Sequence, residues 1–162
     1  MIRLRDVINI ETAPGKVYDW FLHLEDNYLS WHPAHVSCKY LKGNPLEDGA
    51  VLYAEEYLHG RLHKLKFKLR EAVPKREFTY QIYPGLGGAF KIRPTETGTE
   101  FTAQIDIGWS IPFLGTLLDR FLETAFSGHI ESIRQHMKEE GVNLRTLLSN
   151  AANRADTVAN RP

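Results

Sequence analysis

The spacing of apolar positions changes three times along this chain. Over residues 2–10, Ile2, Leu4, Val7, Ile8 and Ile10 alternate or run together as in a strand. Val17, Trp20, Phe21 and Leu24 then recur at helical spacing. They follow Thr12-Ala13-Pro14, where Thr12 reads as an N-cap and Pro14 suits the first turn. Residues 26–31 predict a second short helical turn, which stops before His32-Pro33 because a pre-proline residue disfavours helix. From Val36 to Ile107 the period returns to two, predicting antiparallel strands at 35–41, 50–58, 63–72, 77–83, 88–93 and 99–108. Turn signals separate them at Gly43-Asn44-Pro45, Gly60-Arg61, Pro74-Lys75, Pro84-Gly85 and Glu96-Thr97-Gly98. A long amphipathic helix follows from Leu114 to Leu148, with Leu118, Leu122, Ala125, Phe126, Ile133, Leu144 and Leu147 three or four apart. Residues 150–162 are polar and aperiodic and read as a flexible tail.

This order predicts an α+β domain over residues 1–149: a curved antiparallel sheet of about seven strands around one long C-terminal helix, with two short helices after the first strand. Such a sheet and helix enclose an apolar cavity. The run Ile8-Asn9-Ile10-Glu11-Thr12-Ala13-Pro14, leading into Val17-Tyr18-Asp19-Trp20-Phe21, resembles the START/Bet v 1-like superfamily (SRPBCC, polyketide cyclase-like). Glu96-Thr97-Gly98-Thr99-Glu100-Phe101-Thr102 carries the same resemblance. It implies the helix-grip fold and a small lipid or aromatic ligand.

Charge and cysteine content narrow the setting. Twenty basic residues balance twenty acidic ones, without the basic excess a nucleic-acid binder shows. The single cysteine, Cys38, excludes an internal disulfide framework and fits a reducing cytosol. Charges interrupt Met1–Asp6 too often for a secretion signal, and no apolar run reaches the ~20 residues of a membrane span. A cytoplasmic protein is expected. The segment Trp109–Phe121 reads as packing between the last strand and the helix, or as a cavity lid, a homodimer patch or a lipid-facing entry.

Three ionisable residues break the pattern of the long helix. His129, His136 and Glu140 all fall within about 60° of the centre of its apolar stripe. A buried carboxylate without a partner is costly, so His136 and Glu140 call for something opposite. They lie one turn apart, the spacing of a helical His-x-x-x-Glu metal half-site, unless the helix frays at Gly141 and leaves both solvated. His129 lies about 10.5 Å from His136 by helical rise, and reads as a cavity histidine outside that site.

Two segments offer partners. In Trp31-His32-Pro33-Ala34-His35, either His35 or His32 presents an imidazole inward, or both are solvated in a loop. Val36 and Cys38 place even positions of that strand inward, which turns His35 outward unless it precedes the strand. In the strand 50–58, a two-residue turn at Gly60-Arg61 pairs 56 with 65, 54 with 67 and 52 with 69. Glu56 then shares the apolar face with Leu52 and Ala54, and Glu55 meets solvent; a one-residue slip exchanges the two carboxylates.

The resulting set is His35 (or His32), Glu56 (or Glu55), His136 and Glu140, donors that suit Zn²⁺ or another first-row divalent ion. The set resembles the zinc site of the diacetylphloroglucinol and phloretin hydrolases, which implies metal-dependent hydrolysis or cyclisation of an acylated phenol or polyketide-like molecule. Under that reading His129 donates a proton, or, only in the alternative register that turns Glu55 inward, Tyr53 or Tyr57; otherwise the chain is a binding module for a small apolar or aromatic molecule. Trp31, His32, Glu55, Phe67, Leu122, Phe126, His129 and Ile133 are candidate cavity residues. Phosphate loops and nucleophile elbows are missing: Gly85-Leu86-Gly87-Gly88 lies between strands with no helix after it.

Overall fold

A computed structural model describes residues 1–108 and 127–159. Strand β1 (Ile2–Ile10) is followed by helices α1 (Pro14–Leu22) and α2 (Leu24–Trp31), then by β2 (His35–Lys42), β3 (Val51–Leu58), β4 (Arg61–Val73), β5 (Glu77–Tyr83), β6 (Leu86–Thr95) and β7 (Gly98–Ile107). Helix α3 (Ser127–Ala159) closes the described chain. The strands form one seven-stranded antiparallel sheet in the order β1-β7-β6-β5-β4-β3-β2. β1 and β2 therefore lie at opposite edges, and α1 and α2 carry the chain between them. This is the α+β arrangement predicted from the element order, and it accords with the helix-grip fold that the resemblance implies.

The core lies between the concave face of the sheet and the helices. Phe21 of α1 is fully buried and stacks on Phe101 at 5.4 Å between ring centroids, with Phe78 and Phe90 within a similar distance. α1 begins at Pro14 with Ala13 as its N-cap, so Thr12 is not the cap. Thr12 turns inward instead, and its carbonyl accepts the buried Thr99 hydroxyl at 2.6 Å. Pro14 has no N–H to satisfy, which lessens the need for a side-chain cap.

Two local features set which side chains face the core. β3 and β4 are joined by His59-Gly60, not Gly60-Arg61: both turn residues have positive φ (53° and 70°), as a type I′ turn requires. Glu56 accordingly pairs with His63, and Ala54 with Leu65, two residues from the expected register. A shift of two preserves facing, so Glu56 still points inward with Leu52 and Ala54. In β2, His35 pairs with Glu56 and Ser37 with Glu55, leaving Val36 as the extra, exposed residue of a β-bulge. The bulge resets the alternation, so His35 is buried although Cys38 also lies on the inner side.

α3 packs Met137, Leu144 and Leu148 into the core and passes through Gly141 without fraying. A Cβ on Gly141 would stand 2.9 Å from Asp6 Oδ2 on β1, a close approach of the helix to that strand. The helix also runs beyond Leu148 to Ala159, so it does not break where the flexible tail was expected. Ala151, Ala152 and Ala155 favour helix, and neither glycine nor proline interrupts it there. The expected helix before Ser127, Leu122, Phe126 and the 109–121 patch lie outside the described residues. Among the described residues, no helix is long and apolar enough to cross a membrane.

Candidate functional site

Four elements meet at one buried point. Leu24, Tyr28 and Trp31 point inward from α2 at helical spacing, and the helix ends where His32 turns extended before Pro33 (φ −148°, ψ 141°). His35 opens β2, Glu56 lies opposite it on β3, and α3 supplies His136 and Glu140. The junction of α2 and α3 is fixed by paired bonds. Trp31 Nε1 donates to the Glu140 carbonyl at 2.9 Å, and Asn143 Nδ2 donates to the Trp31 carbonyl at 2.9 Å.

The tautomer of His35 follows from its neighbour. Its Nδ1 lies 2.9 Å from the Tyr28 carbonyl oxygen, which only accepts, so Nδ1 carries the proton and Nε2 keeps a lone pair. The Tyr28 ring stacks flat on the imidazole at 3.9 Å. His35 Nε2 lies 3.1 Å from Glu140 Oε1 and 3.7 Å from Glu56 Oε2. His136 Nε2 lies 3.6 Å and 3.9 Å from the same two atoms. Both Nε2 atoms are buried without a hydrogen-bond partner. Tyr28 Oη donates to Glu56 Oε2 at 2.9 Å.

The site thus gathers two unpartnered imidazole nitrogens and two buried carboxyl groups. Donors bound at about 2.1 Å around a tetrahedral ion stand about 3.4 Å apart, within the range of these four separations. Burial pushes Glu140 up to about 8 and raises Glu56, which the Glu140 charge raises further. Burial, with His32 and His35 beside it, holds His136 down at about 4, and burial lowers His35. The polypeptide alone therefore disfavours charge on every member, a penalty that a bound cation would reverse.

His32 also stands close: donor atoms of His32, His35 and His136 lie within 4.8 Å of one another. Its nitrogens are engaged, however. Nδ1 accepts the Ala34 N–H at 3.1 Å, leaving Nε2–H to donate to Glu139 at 2.9 Å. His32 therefore backs the cluster, its ring 4.2 Å from that of His136, while the unpartnered Nε2 atoms are those of His35 and His136.

A cavity of about 490 Å³ opens onto this cluster. Trp31, Phe67 and Ile133 line it, as expected, and Tyr28, Glu56 and Glu140 mark its polar part. His129, itself exposed, also borders the cavity, its ring tilted against that of His59 at 4.4 Å between centroids. His32 and Glu55 are not in the wall. Glu55 faces away, bonded by Tyr53 and 3.4 Å from Lys64 Nζ. Tyr53 and the half-exposed Tyr57 share that outer face, which removes both as proton donors to the cavity. The tyrosine that does reach the cluster is Tyr28, whose i, i+4 spacing from Leu24 was the available signal.

Comparison with known proteins bears on the family and the fold. Residues 1–140 match the family model described as polyketide cyclase / dehydrase and lipid transport. No curated protein matches the chain in sequence. Among solved structures, Ara h 8.0201 superposes with a TM-score of 0.65 at 11% identity, over 92% of this chain and 98% of that one. A protein from Thermus thermophilus gives 0.62 at 14% identity, over 90% and 99%. The major latex-like protein 151 of Panax ginseng gives 0.58 at 13%, over 81% and 97%. At such identities these structures establish the fold.

Proposed function

The chain belongs to the polyketide cyclase / dehydrase and lipid transport family, and within it we propose a protein that takes a small apolar or aromatic molecule into its cavity and holds a divalent cation, zinc or another first-row ion, on His35, Glu56, His136 and Glu140. The supporting observation is the pair of buried, unpartnered Nε2 atoms facing two buried carboxyl groups. Orphaned buried acceptors are rare in folded proteins, and two carboxylates with two neutral imidazoles balance a divalent charge. Elemental analysis of purified protein supplemented with zinc should give about one ion per chain, lost by at least tenfold in affinity in His136→Ala and Glu140→Ala. Metal absent from the parent protein, or retained by both variants, would overturn this ligand set. Native mass spectrometry against lipid and polyphenol panels tests the cavity separately, and no uptake from either would exclude the ligand class.

A second reading, metal-dependent hydrolysis or cyclisation of an acylated phenol or polyketide-like substrate, is favoured by Tyr28, Glu56 and Glu140 all lining the cavity. A bound cation would supply carbonyl polarisation or a water of lowered pKa. The chain's own part is then legible. Apolar walls exclude bulk water, and Tyr28, held protonated by burial and the Glu56 charge, keeps a proton at Oη. Product release from acylated phenols, abolished in Glu140→Ala and reduced in Tyr28→Phe, would mark an enzyme; tight binding without turnover would mark a carrier.

A further inference from the structure

Three substantially buried tyrosines line the cavity, and two have a use for their hydroxyl groups. Tyr28 donates to Glu56, and Tyr40 accepts the Leu46 N–H at 3.2 Å. Tyr80 differs. It lies on the inner face of β5, is 8% exposed, and its ring packs against Phe67 and Phe90 at 5.4 and 5.6 Å. No hydrogen bond engages its hydroxyl among the described residues. Phenylalanine would pack the same way, so packing does not explain the oxygen; the hydroxyl itself is not fully buried and meets the cavity, where a bound molecule can accept from it.

The neighbouring strand leaves room for that oxygen. Tyr80 pairs with Gly88 of β6, and a Cβ at Gly88 would lie 2.5 Å from Tyr80 Oη and 2.7 Å from Cζ. The same Cβ would collide with the Gln104 carbonyl oxygen, so glycine also serves the strand itself. Gly88 is thus the seat over which the phenol lies, whereas a Cβ on Gly87 would meet the Tyr80 backbone carbonyl. Burial, then the charges of Glu140 and Glu56, keep that phenol protonated and hence a donor.

We propose that Tyr80 Oη is a specificity-determining anchor that donates a hydrogen bond to a second oxygen of the bound molecule, besides the one that meets the His35–His136 cluster. The cavity then takes aromatic or polyketide-like molecules bearing at least two oxygen functions, rather than plain hydrocarbons or fatty chains. The inference rests on the cavity reading above for the existence of a ligand, and not on which ion the cluster holds.

The test is isothermal titration calorimetry of the full chain with zinc, using 2-acetylnaphthalene and the positional isomers of its hydroxy derivative. At least one hydroxy isomer should bind the parent protein about five- to tenfold tighter than 2-acetylnaphthalene, as one added hydrogen bond allows. Tyr80→Phe should erase that advantage and leave 2-acetylnaphthalene unchanged. An advantage that survives Tyr80→Phe, equal losses for both compounds, or no binding to the parent protein would overturn the anchor. Repeating the pair on chelated protein separates the two claims. A hydroxyl advantage in a parent protein that takes up no stoichiometric zinc keeps the anchor while the cation reading fails, and stoichiometric zinc with no advantage does the reverse.

Discussion

At the scale of single residues, the chemistry of the cluster is set by what each polar atom lacks. His35 gives its Nδ1 proton to the Tyr28 carbonyl, so its remaining lone pair faces carboxyl oxygens that repel it unless a proton or a cation lies between. This makes a pH prediction for chelated protein. Glu140, raised from 4.5 to about 8, keeps when folded a proton that the unfolded chain sheds. Its contribution therefore falls as pH rises from 4.5 through 8. His136, lowered from 6.5 to about 4, acts oppositely, destabilising the fold as pH falls from 6.5 toward 4. The two oppose each other between 4.5 and 6.5; above 6.5 the carboxyl groups act alone, Glu56 in the same direction as Glu140. Chelated protein should lose on the order of 2 kcal/mol between about pH 6.5 and 8, seen as a falling Tm, and Glu140→Gln should flatten most of that slope. A chelated parent protein that gains stability over this window contradicts the assignment. Zinc should reverse the trend, because its ligands bind deprotonated. The sequence pointed to His136 and Glu140 because a helix stripe makes misplaced polarity visible. It did not expose Tyr28, since an inward tyrosine at helical spacing looks like any core residue.

At the scale of elements, register matters more than element type. Each described strand was legible from alternation, yet the sheet departs from the expected pairing at β3–β4 and contains a bulge at Val36. The β3–β4 difference arises because His59 adopts positive φ, which a histidine only occasionally does, so Gly60 becomes the second turn residue. The bulge leaves no compositional mark, and without it the alternation from Cys38 would turn His35 outward. Glycine in the long helix was similarly ambiguous: Gly141 looked like a stop but marks a close approach to β1. Gly141→Ala would recover up to about 1 kcal/mol of helix propensity, against displacement of Asp6 Oδ2, the end of a side chain that can rotate. The variant should therefore be as stable as the parent or stabler by up to about 1 kcal/mol in urea unfolding. A loss of more than about 1 kcal/mol would mean that Asp6 cannot give way.

At the scale of the whole molecule, the sheet order separates β1 from β2 by five strands, and α1 and α2 bridge that span along the concave side. The consequence is a cavity whose polar part is assembled from residues far apart in sequence, Tyr28, Glu56 and Glu140 among them. No local pattern reveals such a meeting, which is why the four-residue set could be proposed but not located from the chain alone. It also means that the apolar chamber and the cluster can be perturbed independently. Leu65 lies in the cavity wall on β4, paired with Ala54 and away from His35, His136 and Glu140. Tryptophan there would place a larger apolar side chain in space the ligand needs while leaving every proposed donor residue unchanged. Leu65→Trp should lower affinity for an aromatic ligand at least tenfold, about 1.4 kcal/mol, while zinc stoichiometry stays at the parent value. The ligand-dependent rise in Tm, set by RT ln(1 + [L]/Kd), should shrink with it, whereas the rise given by zinc alone should not. Loss of zinc together with ligand would show that chamber and cluster form one cooperative site, and unchanged ligand affinity would place the ligand outside this cavity.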